Sequence, residues 1–93
     1  MIKRVWIRIE KGENNCCACA PAAPGCIVTD DTVEATKARM IRALKSHLEW
    51  MLEDEDSLDG INDVFPADAT DESDVYYCLV QLDVSRHGVP AGV

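Results

Sequence analysis

The chain has 93 residues, of which 47% are apolar, and a formal net charge of -8 at pH 7. This length supports one domain, residues 1–93, with a single two-layer core, and the apolar content excludes a chain that is disordered throughout. Phosphates bind basic surfaces, so the negative charge disfavours nucleic acid as a direct ligand and favours a basic protein as partner.

The sequence has no apolar run typical of a signal peptide or a membrane span. The first ten residues, MIKRVWIRIE, carry charge at nearly every second position. We therefore expect a cytoplasmic protein that does not associate with membranes. In that reducing compartment thiols stay free, and five is an odd number of cysteines, so we expect no disulfide framework.

The first third of the chain predicts three short strands. Residues 3–9 alternate strictly between apolar and polar side chains, which is the two-residue period of a half-buried strand. The KGENN turn leads into residues 16–20, a strand of small residues that ends at proline. A brief extended piece follows at residues 26–29. The sequence predicts a hairpin and then a third strand.

A long amphipathic helix is predicted next. The stretch DDTVEA offers Asp31 as N-cap, with Glu34 three positions later, the spacing of a capping box. Apolar residues then recur every three or four positions as far as Leu52, which predicts a stripe of about five turns. The stripe contains Val33, Met40, Ile41, Leu44, Leu48 and Met51.

After the helix the chain becomes strongly acidic and then returns to a strand pattern. Residues 53–74 have the composition of a mobile linker, which we expect to dock on the core through Ile61, Val64 and Phe65. Residues 75–84 alternate again, and one face of this last strand carries Tyr76, Cys78, Val80, Leu82 and Val84. The predicted fold is α+β: an antiparallel sheet of about four strands with one helix on one face, in the order β-β-β-α-β.

Three motifs in this order resemble the N-terminal domain of the HicB antitoxin family, which also occurs as stand-alone HicB-like proteins. The motifs are P-x-x-PGC at residues 21–26, DT-x-E-A at residues 31–35 and L-x-x-M-L-x-D at residues 48–54. Pro21, Pro24, Gly25 and Cys26 match the turn of that family, Asp31 and Thr32 its helix start, and Glu34 and Ala35 its first helical turn. The resemblance covers roughly residues 5–56.

The resemblance implies a partial RNase H-like sheet that binds and inhibits a small basic RNA-cleaving toxin of the HicA type. Family members that repress their own operon carry a DNA-binding domain after the last strand. Only nine residues follow Val84, too few for a helix-turn-helix, so we expect no operator binding. The alternative function is an orphan HicB-like scaffold or small-ligand-binding protein that is oligomeric and has no toxin partner.

The acidic run after the helix is the candidate partner-binding site. Its carboxylates would steer a basic partner and block its phosphate-binding surface, whereas the alternative is that they only keep the protein soluble. The candidate residues are Asp54, Glu55, Asp56, Asp59 and Asp63.

The clustered cysteines predict packing rather than a metal site. A two-residue period puts Cys17 and Cys19 on one strand face and Cys16 on the other, so the three do not point at one ion. Cys78 alone does not supply the second pair of ligands that zinc requires, although a metal remains the alternative. We expect no metal and no cofactor.

We expect no enzymatic activity and no catalytic residues. Catalysis requires a nucleophile with a base, or a cluster of carboxylates, on rigid elements. The chain offers Cys26 with either His47 or His87 as its cysteine and histidine pairing, and His47 lies beside the apolar stripe of the helix. A partly exposed surface histidine is the more common explanation there.

The sheet face opposite the helix predicts an oligomer, at least a dimer. It carries Trp6, Tyr77 and Leu79, and large apolar side chains on a bare sheet form an interface. The alternatives are that the toxin occupies this face, or that the strand register is shifted by one residue, which would exchange the two faces.

Overall fold

A computed structural model describes residues 1–85 of the chain. The elements are the strands β1 (Ile2–Lys11), β2 (Cys16–Cys19) and β3 (Ile27–Asp30), the helix α1 (Val33–Glu53) and the strand β4 (Val75–Asp83). The predicted α+β fold and its β-β-β-α-β order are confirmed. No helix within residues 1–85 has the length and apolar character needed to cross a membrane.

The four strands form one antiparallel sheet in the order β3-β2-β1-β4. β4 pairs along nearly the whole of β1, whereas β2 pairs only with Arg8 to Lys11 at the far end of β1. β1 is therefore the central strand, and β3 and β4 are the two edges of the sheet.

The segment between α1 and β4, residues 54–74, carries the chain from one end of the sheet to the other, and we call it the crossing segment. Near the start of β1, the Lys3 ammonium donates to the carbonyls of Leu58 and Ile61, each at 3.3 Å. At the other end, the Lys11 N–H donates to the carbonyl of Asp74 at 2.8 Å. β4 runs antiparallel to β1 because this segment first travels the length of β1.

The helix-covered face of the sheet holds the hydrophobic core. The side chains of the β1 face and of the α1 stripe that meet there are fully buried: Val5, Ile7, Ile9, Met40, Leu44 and Leu48. The small buried residues Cys16, Ala18 and Ala20 lie on the same face, where they let the helix approach β2 closely. The two sequence periods therefore predicted the core correctly.

The start of the helix differs from its prediction. Thr32, not Asp31, is the N-cap: its hydroxyl oxygen accepts from the N–H of Ala35 at 3.1 Å. The predicted capping box is wrong because the cap must lie three residues before the N–H it satisfies, and the chain enters the helix one residue later than Asp31. The third residue after Thr32 is alanine, which has no side-chain acceptor to complete a box.

Tyr76 is the exception on the helix-covered face. It was predicted to be covered with the other residues of its strand face, but it is 41% exposed. It lies at the first end of β4, opposite Ile9, whereas the buried residues Val80 and Leu82 lie at the last end. Helix cover of β4 is thus incomplete.

Candidate functional site

The sheet face opposite α1 is covered by the crossing segment. The indole N–H of Trp6 donates to the carbonyl of Asp63 at 2.9 Å. The ring of Phe65 packs edge-on between Trp6 and Tyr77, with ring centroids 4.9 Å and 5.3 Å apart. The N–H of Thr70 donates to the Tyr77 hydroxyl at 3.0 Å. Residues 63–70 are therefore held against the sheet by specific contacts.

The predicted linker makes specific contacts with the rest of the chain, and its mobility stays a prediction. Leu58 and Ile61 are 5% and 4% exposed and belong to the core. Docking through Ile61 and Phe65 occurs as expected, whereas Val64 is 72% exposed and takes no part in the core. Leu58, Ile61 and Phe65 are the apolar residues through which this acidic segment packs on the rest of the chain.

The crossing segment also changes the predicted oligomer interface. That prediction assumed that the apolar side chains of this face are bare. Trp6 and Tyr77 are instead half-buried against Phe65, so the assumption is wrong for both residues. Leu79 remains 42% exposed. Oligomer formation and the location of its interface both stay predictions.

The predicted partner-binding carboxylates lie in two places. Asp54, Glu55 and Asp56 follow the last turn of α1, and Asp59 lies just beyond them on the crossing segment. Asp63 is carried to the other face of the sheet, beside Trp6. All five side chains are exposed.

The end of the helix has a specific backbone geometry. Asp54 is the C-cap, the N–H of Glu55 donates to the Leu52 carbonyl at 3.1 Å, and the N–H of Asp56 donates to the Met51 carbonyl at 2.9 Å. This is the paired bonding of a Schellman motif, and Glu55 occupies its left-handed position with φ of 60°. Glycine is the usual residue there, because a side chain in this conformation is strained.

Three carboxylates at the helix end, those of Asp54, Asp56 and Asp59, have no ion pair within residues 1–85. A helix C-terminus bears a partial negative charge, so neighbouring carboxylates are repelled. The ion pairs within residues 1–85 join the N-terminus with Asp83, Arg8 with Glu10, and Arg39 with Asp30. The helix end is therefore a strongly negative surface.

Sequence reasoning missed one residue of this surface. Trp50 is 58% exposed and lies one helical turn before Asp54, whose N–H donates to the Trp50 carbonyl. Exposed tryptophan is a frequent anchor of protein interfaces. The signal was present in the sequence, because Trp50 falls outside the apolar stripe of the helix.

The cysteines lie as the strand period predicted. Cys16 is buried under the helix, while Cys17 and Cys19 are half-buried on the opposite face beside Glu10 and Arg8. All five thiols are free, and residues 1–85 contain no group of three or more histidine, cysteine or acidic side chains placed to hold a metal ion. Of the β2 cysteines, Cys16 belongs to the hydrophobic core.

Cys26 also packs in the core. Burial raises the pKa of the Cys26 thiol, which is the opposite of the shift that activates a cysteine nucleophile. His47 is half-buried on α1, and His87 lies outside the described residues.

Comparison of the chain with protein-family models, with curated proteins and with solved structures finds no match. The resemblance to HicB antitoxins therefore rests on sequence motifs alone.

Proposed function

We propose that the protein binds a basic protein in the manner of a HicB antitoxin that inhibits a HicA-type RNA-cleaving toxin. The surface that makes this contact is formed by Trp50, Asp54, Glu55, Asp56 and Asp59, and we call it the acidic end surface. The observation that carries the proposal is a group of exposed carboxylates, three of them without an ion-pair partner in residues 1–85, around an exposed tryptophan.

Stability of the free chain does not account for this arrangement. Carboxylates at a helix C-terminus and a non-glycine residue in the left-handed conformation both disfavour folding. A basic partner would neutralise the carboxylates and so remove their repulsion from the helix C-terminus. It would therefore supply the positive charge that these carboxylates lack in the free chain.

The acidic end surface suits a ribonuclease because an RNA-binding face carries cations for phosphates. Carboxylates placed over those cations exclude the RNA and speed the encounter through long-range attraction. Trp50 supplies the apolar contact that slows dissociation. Asp63, on the other face of the sheet, lies outside this surface and would make at most a secondary contact.

The experiment is to capture the partner from an extract of the native host and to measure its association rate with the purified protein. We expect a basic protein that cleaves RNA and stops cleaving when the chain is added. Its association should slow as salt rises, since screening acts over about 10 Å at 0.1 M. The variant D54N/D56N/D59N should slow association by at least tenfold at low salt.

The matched control is E13Q/D31N/D71N, which removes the same number of exposed charges away from the helix end. It should change the association rate much less. Equal effects of the two triple variants would show that net charge alone acts, and the acidic end surface would be discarded. An association rate that does not respond to salt would contradict the electrostatic model as a whole.

An oligomeric HicB-like scaffold without a toxin partner is the second candidate. The observation that favours it is the outer edge of β4, which has no strand partner within residues 1–85. Failure to capture any basic protein, together with a stable oligomer, would favour this candidate over the first.

A further inference from the structure

Within residues 1–85, the outer edge of β4 is a long strand edge without the usual protection. Its residues from Val75 to Leu82 contain no charge and no proline, and Tyr and Val recur among them. Natural sheets protect such edges with lysine, proline, bulges or a covering element, because unpaired strands recruit other strands. β4 has no strand neighbour on this side within residues 1–85.

The hydrogen-bond pattern identifies the backbone groups that face outwards. In an antiparallel ladder, opposed residues alternate between pairs that exchange both hydrogen bonds and pairs that exchange none. The pair Met1 and Val84 exchanges both bonds, and Lys11 donates to Asp74 at the other end of the ladder. Even-numbered residues of β4 therefore bond to β1, and odd-numbered residues direct their N–H and C=O groups outwards.

The outward backbone groups of Tyr77, Leu79 and Gln81 have no partner within residues 1–85. Each of these three residues offers one donor and one acceptor, spaced for a second antiparallel strand, whereas the N–H of Val75 donates to the Glu72 carbonyl.

Apolar side chains flank this edge on both faces of the sheet. Leu79 is 42% exposed on the face opposite the helix, and Tyr76 is 41% exposed on the helix side. These are the two exposed large hydrophobic residues of β4. Also on the helix side, a groove opens between α1 and β4, lined by Val33, Ala38, Ile41 and Cys78 with Glu34 and Lys37 at its rim.

We propose that two copies of the chain pair through β4. The two β4 strands run antiparallel about a two-fold axis at Leu79, and the two sheets join into one sheet of eight strands. This interface is distinct from the acidic end surface, and it replaces the predicted interface on the sheet face.

The strand sequence is self-complementary in this register. Leu79 faces its own copy, Tyr77 faces Gln81 of the second copy, and Val75 faces Asp83 of the second copy. The outward backbone groups of the Leu79–Leu79 and Tyr77–Gln81 pairs therefore meet and bond. The N–H of Val75 already donates to the Glu72 carbonyl at 3.2 Å, so the Val75–Asp83 pair lies at the margin of this ladder. In this register no charged residue of β4 faces another charged residue. The strand is therefore compatible with a second copy of itself, and we infer that the second copy is the occupant of this edge.

The same register covers the exposed apolar side chains. Tyr76 comes to lie opposite Leu82 of the second copy, and Cys78 lies opposite Val80. The two grooves beside α1 come to lie on one face of the joined sheet, on either side of the axis. An isologous contact of this kind is the commonest way in which soluble chains form dimers.

The charge of -8 on each chain opposes this dimer, and salt should therefore strengthen it. The response is opposite to that expected for the basic partner. Failure of the dimer and failure of the partner contact are thus distinguishable. The dimer is measured on the purified chain alone, whereas the association experiment needs the basic partner.

The experiment compares Gln81→Pro with Gln81→Thr by light scattering over a range of concentration and salt. Proline removes the outward N–H of residue 81 and leaves the bonds to β1 intact, so the edge loses a donor while the monomer keeps its ladder. Threonine keeps the N–H and favours a strand. Wild type and Gln81→Thr should show twice the 10.3 kDa chain mass, and Gln81→Pro should show 10.3 kDa.

Amide hydrogen exchange of the wild-type chain gives a second measurement that needs no variant. In a monomer the N–H groups of Tyr77, Leu79 and Gln81 exchange fast, whereas those of Cys78 and Val80 are protected by β1. In the dimer both sets are protected, and dilution should release the odd-numbered set first.

A wild-type mass of 10.3 kDa at high concentration and high salt would overturn the proposal. So would a dimer whose outward amides exchange fast, or a dimer that Gln81→Pro leaves intact and Trp6→Glu dissociates, since the interface would then lie on the sheet face.

Discussion

The two faces of the sheet are covered by different means. On one face α1 lays a regular apolar stripe over β1, and residues such as Ile7 and Leu44 are completely buried. On the other face an irregular segment is held by a few contacts around Phe65, which is itself 49% exposed. The helix therefore covers its face with a continuous apolar contact, whereas the crossing segment covers the opposite face through a few separate contacts.

This difference indicates that stability is unevenly distributed. A continuous buried cluster opens only when the whole domain unfolds, whereas a segment with few buried contacts opens locally at lower free energy. Loss of a core contact should therefore lower global stability. Loss of a contact on the other face should release the crossing segment while the sheet and helix persist.

The largest effect is expected for Leu44→Ala in the helix-covered core. The change leaves a cavity beneath a fully buried position, so the free energy of unfolding should fall by about 2–5 kcal/mol in urea denaturation. Exposed Ala38→Gly on the same helix is the control, and it should cost only about 1 kcal/mol through helix propensity. Equal losses at the two positions would contradict the core described above.

A smaller and local effect is expected for Phe65→Ala on the other face. The change removes two edge-on aromatic contacts, with an expected loss of about 1 kcal/mol. The amide of Thr70, which bonds to Tyr77, should exchange faster while amides of β1 stay protected. Val64→Ala, at a neighbouring exposed position, should change neither quantity. Uniform acceleration across the sheet would show that the two faces are not independent.

The end of the helix offers a test in the opposite direction. Glu55→Gly should have a free energy of unfolding up to about 1 kcal/mol higher than Glu55→Ala, which removes the same side chain, because glycine adopts the left-handed conformation without strain. Asp56→Gly should be no more stable than Asp56→Ala, since residue 56 has no positive φ. Chemical denaturation of the variants separates these outcomes, and a Glu55→Gly variant less stable than Glu55→Ala would contradict the Schellman geometry.

The smallest effect concerns Asp30 at the end of β3. The N–H of Asp31 and the guanidinium of Arg39 hold the pKa of Asp30 below its usual value. The unfolded chain therefore binds a proton at higher pH than the folded chain, so this stabilisation is present above about pH 4 and is lost as pH falls through the lower folded pKa. Asp30→Asn should flatten the acid limb of stability against pH. Asp31→Asn, whose side chain accepts no bond within residues 1–85, is the control. An unchanged acid limb in Asp30→Asn would contradict this assignment.

Local patterns predicted most of the fold because they depend on neighbours in the chain. Alternation marked β1 and β4, and three-to-four spacing marked α1 and its buried stripe. The error at the helix start is also local, because it is a shift of one residue. Asp31 and Thr32 are both good N-caps, and the choice between them depends on where the backbone enters the helix.

The candidate site was only partly predictable. The acidic residues after α1 were evident from composition, and Trp50 could have been found from its place off the apolar stripe. The left-handed backbone of Glu55 gave no sequence signal, because glycine usually marks that position.

The sequence by itself determined the order of the elements and most side chains of the helix-covered core, because hydrophobic periodicity is a local property of the chain. Only the tertiary structure decided that residues 54–74 travel along β1, that Trp6 and Tyr77 are covered by Phe65, and that the outer edge of β4 has no strand neighbour within residues 1–85. Those features arise from contacts between residues far apart in the chain, and such contacts leave no periodic trace in the sequence.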